Sequence, residues 1–142
     1  SHIFAQNVSW SPWTRLYLQA GFNYVWSETE TPTSDYTRAV LDAQNNYWTL
    51  HFNSGLTLDD KTDLNLGYFY YRADNFKDHS AAGLPLGLGA EEHGVTAALT
   101  RRINKNLRLT LRYGYFQYDE ASAGHRNDYE VHFVSTGLQY RF

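Results

Sequence analysis

The sequence predicts an all-β fold in which about seven antiparallel strands run up and down in hairpins. Three observations predict it. Apolar and polar residues alternate with a period of two, as in "LRLTLRYGYFQY" at 107–118, and a strand sends successive side chains to opposite faces. Residue types that favour turns separate the alternating stretches. The mean hydropathy of −0.57 excludes a long apolar helix.

Seven alternating stretches define the predicted strands, and connections of two lengths join them. The strands span 2–11, 13–26, 46–58, 62–73, 93–103, 107–118 and 129–142. Tight turns at "WSPWT", "LDDKT" and "INKNL" close hairpins, whereas the connections 27–45, 74–92 and 119–128 are longer and rich in Ser, Ala, Gly, Asp and Glu. The tight turns recur at roughly 45-residue spacing, so one hairpin is the repeated unit. The prolines Pro12, Pro32 and Pro85 are expected in connections, where a missing N–H leaves the ladders intact.

The alternation assigns apolar and polar side chains to the same two faces in every strand. We expect the apolar face to include Leu18, Leu50, Leu66, Leu99, Leu111 and Leu138. We expect the opposite face to include Arg15, His51, Asp63, Arg102, Arg108, Arg112 and Arg141. In a soluble sandwich or barrel the apolar face lies inward, whereas in a membrane barrel it contacts lipid and the polar face lines a wet interior.

The aromatic residues favour the membrane alternative. They make up 17% of the chain, with 12 Tyr and 4 Trp, and they cluster near the long connections while leucines cluster near the short turns. A lipid-facing band that ends in an aromatic girdle has this distribution. Transmembrane strands need only about 9–11 residues each, half of them polar, so the low mean hydropathy is no objection. The sequence therefore predicts an antiparallel up-and-down transmembrane β-barrel, with the six leucines facing lipid and the seven polar residues facing the lumen.

The C-terminal stretch "VSTGLQYRF" is the most specific motif in the chain. Its alternating apolar residues end in Tyr140 and Phe142. This stretch resembles the insertion signal of Gram-negative outer-membrane β-barrel proteins, and the hairpin architecture extends the resemblance to the whole chain as a pattern. The resemblance implies an integral protein of the bacterial outer membrane, in contact with its lipid and lipopolysaccharide. It also implies that Tyr140 and Phe142 signal to the barrel assembly machinery, and that the short turns are periplasmic.

The number of strands departs from this family's pattern. Bacterial single-chain barrels have an even number of strands, and seven are predicted here. We therefore expect residues 1–142 to be a single barrel segment, the C-terminal hairpins of a larger barrel whose other strands lie elsewhere. The alternative is an eighth strand within 29–44 or 77–90. The chain also lacks methionine and a signal-peptide pattern, so we expect a processed or truncated piece.

Two functions of such a barrel follow from the resemblance and the inner-face residues. The first is a porin-like channel for small solutes or ions, in which the inner arginines favour anions; alternatively, Arg108 and Arg112 brace the wall by pairing with carboxylates such as Asp63. The second is a sheath that holds a multihaem cytochrome, since the "SWSPWTRL" turn and the Tyr-rich strands are broadly similar to such sheaths. Inner-face glycines would let a guest approach closely, or would relieve crowding where strands curve.

Other classes of function receive little support from the sequence. The chain has no cysteine, which excludes disulfides, thiolate metal sites and covalent c-type haem, and no cofactor is predicted. His, Ser and Asp are present, but their spacing forms neither a nucleophile motif nor a metal site, so we do not expect an enzyme. The net charge of −3 and the lack of a basic patch with stacking aromatics argue against nucleic-acid binding. A soluble β protein and an outer-membrane enzyme stay open as alternatives.

Overall fold

The computed structural model describes residues 1–30, 43–77 and 87–142, and these residues form nine strands and no helix. The strands are β1 (His2–Trp13), β2 (Leu16–Trp26), β3 (Glu28–Thr29), β4 (Ala43–Gln44), β5 (Tyr47–Asp59), β6 (Thr62–Asp74), β7 (Gly89–Arg102), β8 (Leu107–Glu120) and β9 (Tyr129–Tyr140). The described part of the chain is therefore built from strands and their connections alone.

Seven of these strands form one antiparallel sheet in the order β1-β2-β5-β6-β7-β8-β9. Each of the seven pairs with its neighbours along the chain, while the short β3 and β4 pair with each other beyond the ends of β2 and β5. The prediction of an all-β, antiparallel, up-and-down fold is confirmed. The sheet is open: within the described residues, β1 pairs only with β2 and β9 only with β8, so no closed barrel is seen.

Every predicted strand differs from the observed one at one end or both, by one to four residues, and two of these differences have a clear physical reason. β1 continues to Trp13 through a register irregularity between Trp10 and Trp13, so Pro12 lies in an edge strand and not in a connection. A proline is tolerated there because an irregular edge position needs no donor to the ladder. β7 begins at Gly89, four residues earlier than predicted, because its first residues pair with both β6 and β8.

The two stretches considered for an eighth strand lie mostly outside the described residues. Residues 31–42 and 78–86 lie outside the described part of the chain. The described remainder of these stretches contributes Thr29 to β3, Ala43 and Gln44 to β4, and Gly89 and Ala90 to the start of β7.

Side-chain hydrogen bonds close the short turns. The Asp59 carboxylate accepts the Lys61 N–H at 2.7 Å, and this bond holds the pKa of Asp59 below its usual value. Asn104 Oδ1 accepts the N–H groups of Asn106 and Leu107, each at 2.9 Å. Asn and Asp favour such turns because their short side chains reach backbone donors two or three residues ahead.

The buried Asn75 fixes the base of the β6–β7 connection. Its N–H donates to the Leu88 carbonyl at 3.0 Å, and its Oδ1 accepts the Leu88 N–H at 2.6 Å. Its Nδ2 donates to the Asn46 carbonyl at 2.8 Å, which ties the β4–β5 connection to the same point. Gly87, at a φ of 88°, approaches Asn75 so closely that a side chain at 87 would collide with the Asn75 backbone.

The sheet is a single layer with almost no core. Among the described residues, the buried apolar side chains are those of Tyr70, Ala73 and Ala90. Large apolar side chains such as Leu66 (45% exposed), Leu111 (47%) and Leu138 (70%) are exposed to solvent. A sheet stabilises itself by covering its apolar face with another layer or with lipid, and nothing in the described chain covers this one.

Candidate functional site on the two faces of the sheet

The register assigns every strand residue to one of two faces, because directly opposed residues of an antiparallel ladder share a face. One face, called here the leucine face, carries Leu18, Leu50, Leu66, Leu99, Leu111 and Leu138. A continuous row of five leucines crosses it from β2 to β8: Leu16, Leu56, Leu64, Leu99 and Leu111. The period of two in the sequence thus becomes a continuous apolar band in the sheet.

The opposite face, called here the arginine face, carries His51, Asp63, Arg102, Arg108 and Arg112 within its strands. Arg15 and Arg141 flank strands at positions that continue the alternation. The ladders therefore place five of the seven predicted polar residues on one side of the sheet, and four of these five lie toward the short turns.

The carboxylate proposed as a brace for the central arginines has another partner. Asp63 accepts a hydrogen bond from the Thr57 hydroxyl at 2.9 Å. Arg15 pairs with Asp60 at 3.4 Å across the turns, a pair so exposed that its contribution to stability is small. Within the described residues, Arg108 and Arg112 make no ion pair. The bracing interpretation through Asp63 therefore gains no support from the geometry.

The arginine face is not polar over its whole length, which the sequence analysis did not foresee. Its half toward the long connections, called here the aromatic zone, carries Tyr47, Phe69, Tyr71, Phe116, Tyr118, Tyr129 and Phe133. Phe116 and Phe133 stack at 6.0 Å between ring centroids, and Tyr118 and Tyr129 stack at 5.2 Å. These rings continue the alternation of the polar residues near the short turns toward the other end of the strands.

Three glycines of the arginine face lie beneath rings of neighbouring strands. A Cβ placed on Gly94 would come within 2.8 Å of the Phe116 ring, and one on Gly114 would collide with Phe133. His51 occupies the corresponding space over Gly21. Large side chains that cover glycines stabilise twisted sheets. Gly21, Gly94 and Gly114 therefore make room for the rings packed over them, whereas Gly137 has open space around it.

The leucine face carries a polar cluster near the long connections, formed by Tyr68, Tyr70, Glu91 and His93. The Tyr68 hydroxyl and His93 Nδ1 are hydrogen-bonded at 3.0 Å, and the Tyr70 hydroxyl donates to the Glu91 carboxylate. His93 Nε2 lies 3.6 Å from Glu91 Oε1, and the Tyr70 and His93 rings contact at 4.6 Å between centroids. Phenol, imidazole and carboxylate thus form one connected network.

A similar cluster recurs one hairpin later, formed by Tyr113, Tyr115, Glu130 and His132, although Tyr115 donates to Gln117 at 3.2 Å and not to the glutamate. Tyr113 and His132 Nδ1 are hydrogen-bonded at 2.9 Å, His132 Nε2 lies 3.4 Å from Glu130, and the Tyr115 and His132 rings are 4.8 Å apart. The first strand of each hairpin supplies Tyr-x-Tyr and the second supplies Glu-x-His-x-Val, as "YFY" with "EEHGV" and "YGY" with "EVHFV".

Sequence reasoning missed this repeated cluster, although a signal for it was present. Glu-x-His places two polar side chains on one face of a strand, as does Tyr-x-Tyr. The two halves are far apart in the sequence, and only the register brings them together. Among the described residues, no three His, Asp or Glu side chains converge as a metal site would require.

The C-terminal residues lie against the β7–β8 turn. Tyr140 is opposite Leu107 at the end of β9, and its ring meets that of the fully exposed Phe142 edge to face at 5.1 Å. The Arg141 N–H donates to the Asn106 carbonyl at 2.8 Å. The two aromatic residues predicted as an assembly signal therefore stand together and accessible at the short-turn end.

Comparison with known protein families, curated proteins and solved structures finds no match to this chain. Within the described ranges, no helix is long and apolar enough to cross a membrane.

Proposed function

We propose that the sheet is a wall section of a transmembrane β-barrel in the bacterial outer membrane, and that the barrel is a porin-like channel for small solutes or ions. The leucine face contacts lipid and the arginine face lines the lumen. The long connections are extracellular and lie beside lipopolysaccharide, while the short turns and the C-terminal aromatic pair are periplasmic, within reach of the assembly machinery.

The observation that carries this proposal is the uncovered leucine face. Burying a leucine side chain is worth roughly 1.5–3 kcal/mol, and the exposed leucines of this face, among them Leu66, Leu111 and Leu138, forgo much of that free energy in water. Lipid supplies the missing cover without another protein layer. The polar Tyr, His and Glu clusters stand on the same face toward the long connections, where a barrel strand emerges from the membrane.

Strand length and open edges also support a barrel wall. The main strands contain 11–14 residues, and crossing a bilayer takes about 9–11. Backbone groups on the outer edges of β1 and β9 have no ladder partner among the described residues. Hydrocarbon offers such groups no hydrogen bonds, so further strands must complete the wall. A larger barrel with an even number of strands fulfils this requirement.

The arginine face gives the channel its proposed preference for anions. Arg102, Arg108 and Arg112 share this face on two adjacent strands, and the latter two have no carboxylate partner in the described chain. Positive charge that the wall does not neutralise attracts anions into a narrow aqueous passage.

The aromatic zone of the arginine face favours a second candidate function. Seven aromatic side chains on an inner wall offer more apolar area than solute passage requires, and they suit contact with a protein held inside the barrel. In this alternative the barrel is the sheath of a multihaem cytochrome that transfers electrons across the outer membrane.

Bilayer conductance of the full-length protein separates these functions. For a channel, we expect stepwise conductance with anion preference, and the double variant Arg108→Gln/Arg112→Gln should lower that preference while the fold stays intact. For a sheath, conductance should stay small and the double variant should weaken retention of the partner. A protein that is soluble and monodisperse without detergent would remove both membrane functions.

A further inference from the structure

A basic cavity lies at the short-turn end of the arginine face, where the β7–β8 turn meets the end of β9. Its volume is about 170 Å³. The lining consists of four cationic side chains (Arg102, Lys105, Arg108 and Arg141), three side-chain amides and one leucine, with no carboxylate among them. The four cationic residues are exposed, so they line an open pocket with room for a single small anion or headgroup.

Two of these cations oppose each other directly. Arg102 of β7 and Arg108 of β8 are partners in the ladder and share the arginine face. Like charges at directly opposed positions destabilise a sheet. Arg102 donates to the Asp60 backbone carbonyl at 2.6 Å, while the Asp60 carboxylate pairs with Arg15. The protein thus leaves the Arg102–Arg108 repulsion without a carboxylate to offset it.

Hydrogen bonds hold the cavity wall in place. Arg141 N–H donates to the Asn106 carbonyl at 2.8 Å, and Asn106 Nδ2 donates to the Arg141 carbonyl at 2.9 Å. The Asn104 side chain fixes the turn from its other end through the Asn106 and Leu107 N–H groups. The C-terminal segment and the turn therefore form one unit, which keeps the backbone of the four cations close together.

We propose that this cavity binds the phosphate group of a free phosphate compound or of a lipid headgroup. Guanidinium groups bind tetrahedral oxyanions through paired N–H donors, and such charge-assisted bonds are strong. One phosphate between Arg102 and Arg108 would convert their repulsion into two attractions. This goes beyond the channel proposal, because binding at this site requires neither a lumen nor ion flow.

The test compares phosphate and chloride at equal ionic strength, with the full-length protein in detergent. Inorganic phosphate should raise the melting temperature of the unmodified protein, and Arg108→Gln should weaken phosphate binding at least tenfold by titration calorimetry. Arg101→Gln is the matched control, since Arg101 is adjacent in sequence but lies on the leucine face. It should bind phosphate as the unmodified protein does. If Arg108→Gln does not fold, Arg141→Gln replaces it in the same comparison.

A second arm identifies the source of the phosphate group. Phosphatidylglycerol added to phosphate-free micelles should raise the melting temperature if a headgroup occupies the cavity, and Arg108→Gln should abolish that rise; a response to inorganic phosphate alone assigns the site to a free compound. The proposal is overturned if neither probe stabilises the protein, or if Arg108→Gln and Arg101→Gln lose the response equally. Neither result bears on conductance, so the channel proposal stands or fails separately.

Discussion

The ring of Phe133 on β9 lies over Gly114 on β8, in the space that a side chain at position 114 would occupy. We expect Gly114→Ala to lower the free energy of unfolding by about 1 kcal/mol. This value is at the low end for overpacking, because the Phe133 side chain lies on an edge strand and can rotate away. Gly137→Ala is the control, since open space surrounds that position, and it should change the free energy of unfolding by less than about 0.5 kcal/mol. Equal effects in urea unfolding would contradict this packing.

An arginine in place of Leu111 tests which face contacts lipid. If the leucine face does, Leu111→Arg should lower the free energy of unfolding in bilayers by about 2–4 kcal/mol near the midplane. The neighbouring Thr110 lies on the arginine face, where its hydroxyl is hydrogen-bonded to Thr100 at 3.3 Å. Thr110→Arg should lower the free energy of unfolding by no more than about 1 kcal/mol, which is the typical contribution of one such hydrogen bond. A larger loss from Thr110→Arg would reverse the assignment of the faces.

Removal of Phe142 tests the proposed assembly signal. The ring is fully exposed and contacts Tyr140, so its loss should hardly change the free energy of unfolding of a folded barrel. The assembly machinery should instead recognise the shortened C-terminal strand less well. We expect a severalfold lower yield in the outer membrane after deletion of Phe142, measured by fractionation, with unchanged urea unfolding of the protein that does assemble. A normal yield would argue that the terminal aromatic has no such role.

The β8–β9 loop should loosen at acidic pH. Hydrogen bonds from Asn127 and Ser122 hold the pKa of Glu120 below its ordinary value of 4.5. A depressed pKa in the folded state means that the stabilisation is complete above the ordinary value and is lost as the pH falls through the depressed one. The protection of the amides in residues 121–128, measured as their exchange rate relative to an unfolded chain at the same pH, should therefore fall as the pH drops below about 4.5. Glu120→Gln should reduce this pH dependence.

The two Tyr, His and Glu clusters should behave as independent copies of one unit. Tyr68→Phe and Tyr113→Phe each remove a hydroxyl bonded to a histidine, and each should cost about 0.5–1.5 kcal/mol in urea unfolding. The effects should add in the double variant, because the clusters lie on separate hairpins. Tyr24→Phe is the control, since the described residues offer its hydroxyl no partner. If one variant lost much more free energy of unfolding than the other, the two clusters would have different structural roles.

The sequence by itself determined the strands, the hairpins and the division of side chains between two faces. Alternation is a local property of extended backbone, so Leu111 and Arg112 must point to opposite sides wherever the strand lies. The six leucines and the polar residues could therefore be assigned to faces from the sequence. For the same reason the aromatic zone was predictable in principle, since Phe116 and Tyr118 continue the alternation of Arg112.

Only the tertiary structure decided which residues meet across strands. That Arg102 opposes Arg108, that Phe133 covers Gly114, and that Glu91 and His93 lie against Tyr68 and Tyr70 all depend on register. Register is set by turn geometry and by irregularities such as the one between Trp10 and Trp13, and a shift of one residue changes every partner. The basic cavity and the repeated clusters are non-local for this physical reason, and alternation within single strands could not predict them.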